Sequence, residues 1–502
     1  MDSDATLDAG RALRRKIITD TLLLNGAAIF GQILGIAQRF LVMRVIAPEA
    51  FGLWLAALIV IGYASYSSVG LEHGMGVRVP YYKGKNDESA IERIRITVYS
   101  VWTMIAVLVA IGVATYAAFQ SRPELRWSFF AVAVLVLLEQ QIQFFTRWHS
   151  SATQNFALIT RLSVARAAMT FLLVVPLAYA FGLYGLVAGS VGGVAVTVIL
   201  WRRFEAPPLR FRVDREALNE VLRIGFPILV VVLLGGLIDS IDRAVIGLLL
   251  GATALGYYGV TTLGGASVYG LLAQAGSAMS PHMAADFGRS NDSPAALERY
   301  LVKPTILFAT MAAMLVTGVM YFVPPVVRLF LPKYAPGLTA FYVYTPGFFF
   351  LALIITANNI VNLVLIAQRR QRLFVYLQAM AVLLEIGMAV GAIRGGFGMP
   401  GVAFASTFAY ATYALTTVVL AAKFVLGTWS RIVAFVAKLL LPMAYLGLAS
   451  LVIFQITRSN LTIVQVAAVR LALFIIATTP LLVRLFRLSG GSVRALFRLS
   501  GD

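Results

Sequence analysis

The chain has 502 residues, 60% of them hydrophobic and only 13% charged, about half the ~25% charged share of an ordinary soluble domain. This excludes a soluble globular enzyme and a disordered chain, and it speaks against an outer-membrane barrel, whose strands alternate polar and apolar residues. The net charge of +19 is read as cytoplasmic loops facing anionic lipid rather than a nucleic-acid surface, and the lack of cysteine excludes disulfides, thiol catalysis and Cys-ligated metals.

A bilayer-spanning helix needs ~20 mostly apolar residues. Apolar runs between charged loops predict fourteen spans, over 18–46, 52–70, 97–119, 128–146, 162–181, 184–201, 224–250, 256–280, 304–324, 338–366, 373–393, 398–421, 439–457 and 463–483. The first run follows Arg11, Arg14, Arg15 and Lys16. It is too long for a signal-peptide core and lacks a small-residue cleavage site, so it is read as retained.

The predicted fold is an all-α integral membrane protein with 14 transmembrane helices. A cytoplasmic tail (1–17) leads into an N-lobe of six spans (18–201) and a cytoplasmic linker (202–223). A C-lobe of six spans (224–421), a two-span appendage (422–485) and a second cytoplasmic tail (486–502) follow.

Loop charge sets the expected orientation. With a cytoplasmic N-terminus, inner loops and tails hold 30 Lys and Arg, and outer loops hold six: Arg122, Arg126, Arg328, Lys333, Arg394 and Arg458. That is a strong positive-inside bias with both termini inside. The largest loops, 71–96 and 202–223, cannot house a nucleotide-binding domain, and no GxxxxGK[ST] phosphate loop occurs. Direct ATP-driven transport by this chain alone is therefore not expected. Short outer loops count against a polysaccharide polymerase or ligase.

An internal repeat stands out. Gln38-Arg39 through Gly52-Leu53-Trp54 aligns without a gap, at an offset of 204, with Asp242-Arg243 through Gly256-Tyr257-Tyr258. Downstream, Asn86-Asp87-Glu88 through Arg93 resembles Asn291-Asp292 through Arg299, each after a proline, Pro80 and Pro281. Six spans per unit is an even number. The two copies therefore share one orientation and are expected to be related by a pseudo-twofold axis along the membrane normal.

The Arg39–Trp54 stretch resembles the first-helix signature of polysaccharide-transporter proteins. So does the run from Gly225-Phe226-Pro227 through Asp242-Arg243 to Gly251 and Leu255-Gly256-Tyr257-Tyr258. These proteins belong to the multidrug/oligosaccharidyl-lipid/polysaccharide exporter superfamily, which includes O-antigen and exopolysaccharide flippases. The resemblance implies two six-helix lobes around a central cavity, alternating access, and a polyprenyl-diphosphate-linked sugar as cargo. Fourteen spans depart from the commoner twelve and resemble the lipid II flippase branch, whose two extra helices line a groove for the lipid tail.

Polar residues inside spans are costly and mark sites or pairs. In the first span Asn25, Gln32 and Arg39 recur at seven-residue intervals, close to two helical turns, and so share one face. Arg39 either lines the cavity and binds diphosphate with its planar fork or snorkels to the interface. The repeat favours the cavity, because Arg243 stands at the equivalent site, and two arginines facing across the axis would clamp a diphosphate. Removing either charge is expected to abolish export without abolishing folding.

In the seventh span Asp239 and Arg243 are i,i+4 and can pair. With Asp242 they form a self-neutralised group, a gate displaced by the anionic cargo, or a site for a coupling proton or Na⁺. Glu139 and Gln143 in the fourth span, with Arg147, read as a sugar- or ion-facing patch or as glue between helices. Asn358, Asn359 and Asn362 in the tenth span read the same way. Tyr342 and Tyr344 suit sugar stacking or, more readily, an interfacial aromatic belt. Glu385 and Arg166 are lone in-span charges and secondary cavity candidates. Gly185, Gly189 and Gly193 read as close helix packing.

Scattered histidines and the lack of a nucleophile–base arrangement give no case for an enzyme, a metal site or a resident cofactor. The sequence reading is a bacterial inner-membrane flippase for lipid-linked oligosaccharide. Its expected partners are that cargo, membrane lipids and the polysaccharide polymerase and chain-length machinery, with no nucleic acid. Rival readings are a lipid II flippase, a cation-coupled multidrug exporter of the same superfamily and an integral-membrane glycosyl-transfer enzyme.

Overall fold

The structure is a computed structural model that describes residues 2–205, 210–265, 289–290, 293, 297–367, 371–457 and 462–488. Among them there are helices and no strands. In chain order they are α1 (Asp2–Val45), α2 (Pro48–Ser65), α3 (Leu71–Gly84), α4 (Glu88–Ala118), α5 (Pro123–Trp148), α6 (Phe156–Glu205) and α7 (Arg215–Leu249). Then come α8 (251–265 as described), α9 (Glu298–Phe330), α10 (Leu338–Ala367), α11 (Gln371–Arg394), α12 (Gly398–Leu426), α13 (Trp429–Ile456) and α14 (Ile463–Leu488).

Twelve helices among the described residues are long and apolar enough to cross a membrane. One of them, Phe156–Phe204 in α6, has 49 residues, more than twice the ~20 that one span needs. It breaks at Gly182, whose φ of 59° and ψ of −130° suit only glycine. The fifth and sixth predicted spans are its two halves. The eighth, 256–280, lies partly outside the described residues.

Helix starts follow local chemistry. Pro48 and Pro123 sit in the first turns of α2 and α5, each followed by a glutamate that suits the positive helix end. Asp87 caps α4 by accepting the Ala90 N–H at 3.0 Å, and Asp214 caps α7 through Glu216 and Ala217 at 2.9 and 3.1 Å. These backbone donors hold both carboxyls below the usual carboxylate range.

Residues 71–96, read from sequence as a loop, are instead largely helical: they hold α3 and the start of α4. Val69 (φ 50°) and Gly70 (φ 89°) turn the chain in left-handed conformations before α3 begins. The helix then lies against α7 at glycine contacts, where a Cβ on Gly74 would stand 2.2 Å from the Val221 carbonyl oxygen. Glu220 of α7 fastens it, 2.9 Å from Arg78 Nε and accepting the Tyr82 hydroxyl at 2.7 Å.

The chain divides into two compact units, Met1–Gly236 and Leu237–Asp502, with the division inside α7. In the first unit α1 runs along α6, and α5 packs on α2, α4 and α6. In the second, α12 packs on α10 and α11, and α9 packs on α10, α13 and α14, so the last two helices cover α9. Val45 and Leu249, which end α1 and α7, are 204 residues apart, the repeat offset.

The two halves of α6 fold against each other at their glycines. A Cβ on Gly189 would lie 2.6 Å from Val174 Cα, and one on Gly193 2.8 Å from Thr170 Cα, whereas one on Gly192 would meet only a Leu173 side-chain atom at 3.4 Å. Gly189→Val is therefore expected to lower stability by at least the ~1–3 kcal/mol of an overpacked core. Gly192→Ala should be nearly neutral. Thermal unfolding in detergent compares the two.

Candidate functional site

In the first unit, α3, α5 and α6 line an open cavity of about 480 Å³, within the ~300–1,000 Å³ of small-molecule sites. Its charged lining is Glu72, Arg147 and Arg166, joined by Gln143, Thr146, Ser150, Ser163 and Thr197. Both guanidinium groups already hold a carboxylate. Arg166 Nη2 lies 2.5 Å from Glu139 Oε1, and Arg147 Nη2 lies 3.5 Å from Glu72 Oε1. Arg166, a lone charge in the sequence, thus finds its partner on a neighbouring helix. Burial holds the His73 imidazole below its ordinary pKa; Glu72 opposes this and Arg147 adds to it.

Behind the cavity wall the amides form a chain. Tyr99 donates its hydroxyl to Gln141 Oε1 at 3.1 Å, and Gln141 Nε2 donates to Gln140 Oε1 at 2.8 Å. Gln143 lines the large cavity and also a narrow cleft beside Glu139 and Gln140. Fourth-span residues therefore serve both as cavity lining and as interhelical glue. Chemically, such a cavity offers amides and hydroxyls to sugar hydroxyls, and guanidinium groups that can exchange a carboxylate for a phosphate oxygen.

In the second unit Asp239, Asp242, Arg243 and Glu385 come together. Arg243 Nη2 lies 3.1 Å from Asp239 Oδ2, and its Nε lies 3.6 Å from Asp242 Oδ1. The two carboxylates differ in setting: the Asp239 side chain is 57% exposed and that of Asp242 only 3%. Asp242 is further anchored by the Tyr258 hydroxyl at 2.8 Å and the Arg243 backbone N–H at 2.7 Å. Tyr344 donates to Tyr410 at 3.0 Å, and Tyr410 to the Ile238 carbonyl at 2.8 Å.

Glu385 is fully buried and within electrostatic reach of Asp242, Asp239 and Arg243. Neither of its carboxyl oxygens has a hydrogen bond of acceptable geometry. Ser406, the hydroxyl beside it, donates instead to the Val402 carbonyl at 3.2 Å.

The other predicted residues fall as follows. Asn25, Gln32 and Arg39 are each half-buried on α1, whose Ile29, Phe30 and Ile33 are exposed. Asn358 accepts the Tyr413 hydroxyl at 3.3 Å. The side chains of Asn359 and Asn362 lie outside the described residues. Tyr344 departs from the interfacial belt expected of it: it is 5% exposed, and its hydroxyl is used inside the helix bundle. Sequence reasoning missed Tyr258 and Tyr410 as site residues, although the position of Tyr258 in the repeat beside the in-span aspartates was the available signal. It also missed Glu72, which lies in the stretch read as a loop.

Residues 41–334 match the family described as polysaccharide biosynthesis protein. No curated protein matches the chain. Among solved structures, the lipid II flippase MurJ in an inward closed conformation is 14% identical, with a TM-score of 0.71 over 93% of this chain and 99% of that one. An inward-facing multidrug resistance MATE transporter of the MOP superfamily is also 14% identical, with a TM-score of 0.60 over 83% and 98%. A MOP superfamily transporter from Pyrococcus furiosus, described as having a binding pocket of reversed polarity, is 16% identical, with a TM-score of 0.53 over 83% and 96%. These likenesses concern the fold. The family match covers more than half of the sequence, and the chain belongs to the polysaccharide biosynthesis protein family, with the helical fold of MOP superfamily transporters.

Proposed function

We propose that the chain flips a polyprenyl-diphosphate-linked oligosaccharide, an O-antigen or exopolysaccharide repeat unit, across the bacterial inner membrane by alternating access, with both termini cytoplasmic. The observation that carries this reading is the 480 Å³ cavity of a polysaccharide-biosynthesis family member, in which two guanidinium groups stand beside amides and hydroxyls. Arg39 and Arg243 are the repeat-related cations for the diphosphate. Exposed Asp239 is the partner that phosphate displaces from Arg243, and anchored Asp242 remains. Asp242 and Glu385 bind the coupling proton or Na⁺. The flipped cargo passes to the polymerase and chain-length machinery.

The test is transport of a fluorescent lipid-linked oligosaccharide in proteoliposomes. Arg166→Gln is expected to slow it about tenfold or more, the effect of one lost charge-assisted contact. Glu139→Gln with Arg166→Gln removes the stranded carboxylate, so it should recover stability without recovering transport. Wild-type transport by the folded double variant would remove the cavity from the cargo path.

A second reading, lipid II as cargo, is favoured by the likeness to MurJ, which extends over more of the chain than the MATE likeness. Rescue of cells depleted of their lipid II flippase would support it. Restored surface polysaccharide in a flippase-deleted strain would support the first reading.

A further inference from the structure

A second cavity, of about 290 Å³, lies in the second unit among α9, α10, α13 and α14. Its lining includes Arg328, Arg470, Tyr321, Tyr342, Phe454 and Thr457, and no carboxylate. Arg470 is half-buried in a mostly apolar wall without a counter-charge, which is costly, and exposed Arg328 lines the same wall. They are also within electrostatic reach of each other, which adds repulsion.

The geometry leaves their donors available. The Arg470 guanidinium packs 4.3 Å from the Phe454 ring centroid, and its Nε donates to Thr457 Oγ1 at 2.8 Å. Thr457 in turn donates to the Ile453 carbonyl at 2.7 Å, fixing the direction of the pair. Among the described residues the terminal amino groups of Arg470 have no hydrogen-bond acceptor, and Arg328 has no ion pair. Tyr321 is 5% exposed, and its hydroxyl, beside Ser450, has no hydrogen bond of acceptable geometry. Tyr321 is also held by stacking on Phe454, with ring centroids 5.6 Å apart. The arrangement is thus two cationic forks and a buried orphan hydroxyl on a rigid aromatic floor.

Position and surroundings define the ligand further. Arg328 is in the last turn of α9, Thr457 follows α13, and Ile463 opens α14. The cavity is therefore at the ends of spanning helices, and spans that end in the headgroup region would bring these donors to the level of lipid phosphates. On the orientation expected from the loop charges, these ends are on the outer side. Beside it Ile456, Ile463 and Val464 are exposed, so a ligand bound here also meets apolar surface.

We infer that this cavity binds the phosphate of an outer-leaflet lipid. Arg328 and Arg470 clasp its oxygens, Tyr321 donates a hydrogen bond, and the start of its apolar chain meets the exposed Ile456, Ile463 and Val464. The shared chemistry is a lipid-borne phosphate, and its source is either bulk anionic phospholipid or a polyprenyl phosphate carrier. The site rests on these four helices and not on the transport reading above.

Native mass spectrometry of the purified full chain, delipidated in detergent, tests it with phosphatidylglycerol, undecaprenyl phosphate, phosphatidylcholine and inorganic phosphate as probes. One phosphatidylglycerol or one undecaprenyl phosphate is expected to be retained in preference to phosphatidylcholine, and whichever binds tighter names the source. Retention should fall about tenfold or more in Arg328→Gln with Arg470→Gln. Arg328→Gln alone, at an exposed position, gives the readout if the double variant folds poorly. Arg470→Lys keeps charge without the fork and should bind in between. Lipid retention unchanged in the folded variants overturns the site, and inorganic phosphate binding as well as the lipids overturns the lipid assignment. Lost lipid retention with normal oligosaccharide transport would leave the transport reading standing, and lost transport in the Arg166 variants with lipid retained would leave this site standing.

Discussion

Arg243→Ala is expected to damage folding as well as transport, and adding Asp242→Asn is expected to repair folding alone. Asp242 is 2% exposed and relies on three groups: the Arg243 guanidinium, the Arg243 N–H and the Tyr258 hydroxyl. Deleting one partner of a buried pair leaves an uncompensated charge and costs about 3–5 kcal/mol, a large part of the ~5–15 kcal/mol that separates folded from unfolded domains. The amide in the double variant keeps the Tyr258 contact without the charge. Thermal unfolding in detergent should show the single variant well below wild type and the double variant near it, with both inactive in proteoliposome transport. A single variant as stable as wild type would mean that Asp242 does not depend on Arg243. Sequence reading expected loss of export without loss of folding at both arginines; the burial of Asp242 changes that expectation for Arg243. At Arg39 the repeat positions of Asp239 and Asp242 hold Gly35 and Gln38. Arg39→Ala is expected to lose transport in the same assay.

The spans were legible because each is a run of about twenty apolar residues, a signal that survives without any tertiary information. The Asp239–Arg243 pair was legible for a related reason, since four residues on one helix are neighbours wherever the helix goes. The Arg166–Glu139 pair was not. Its members are 27 residues apart on two helices, and only packing decides which in-span cation meets which carboxylate. Helix α3 was missed because it is short and polar beside its neighbours: its fastening to α7 depends on Gly70, Gly74 and Glu220, which carry no periodic signal. Tyr344 was misplaced because a tyrosine near a span end suits a membrane interface equally well. Its burial depends on Tyr410, 66 residues away.

Glu385→Gln is expected to separate transport from its ion gradient without unfolding the protein. The carboxyl is fully buried, and both its oxygens lack hydrogen bonds of acceptable geometry. Asp242 and Asp239 act on it with like charge, and Arg243, the opposite charge, is already shared between those two. Three carboxylates beside one guanidinium leave an excess negative charge, and two of them, Asp242 and Glu385, are buried where the dielectric is low, a state relieved by binding a proton or Na⁺. Glutamine has nearly the same shape and removes that charge together with the capacity to bind the ion. The variant's unfolding temperature should therefore equal or exceed that of wild type. Its transport under an imposed pH or Na⁺ gradient should fall to the rate measured without a gradient, and the gradient that drives the wild-type protein identifies the ion. Asp242→Asn should blunt the same response, because it lowers the negative charge that makes an ion at Glu385 favourable. A Glu385→Gln protein that still accelerates under the gradient would show that the driving ion binds elsewhere, and the buried carboxyl would then need another reason to stand among two aspartates.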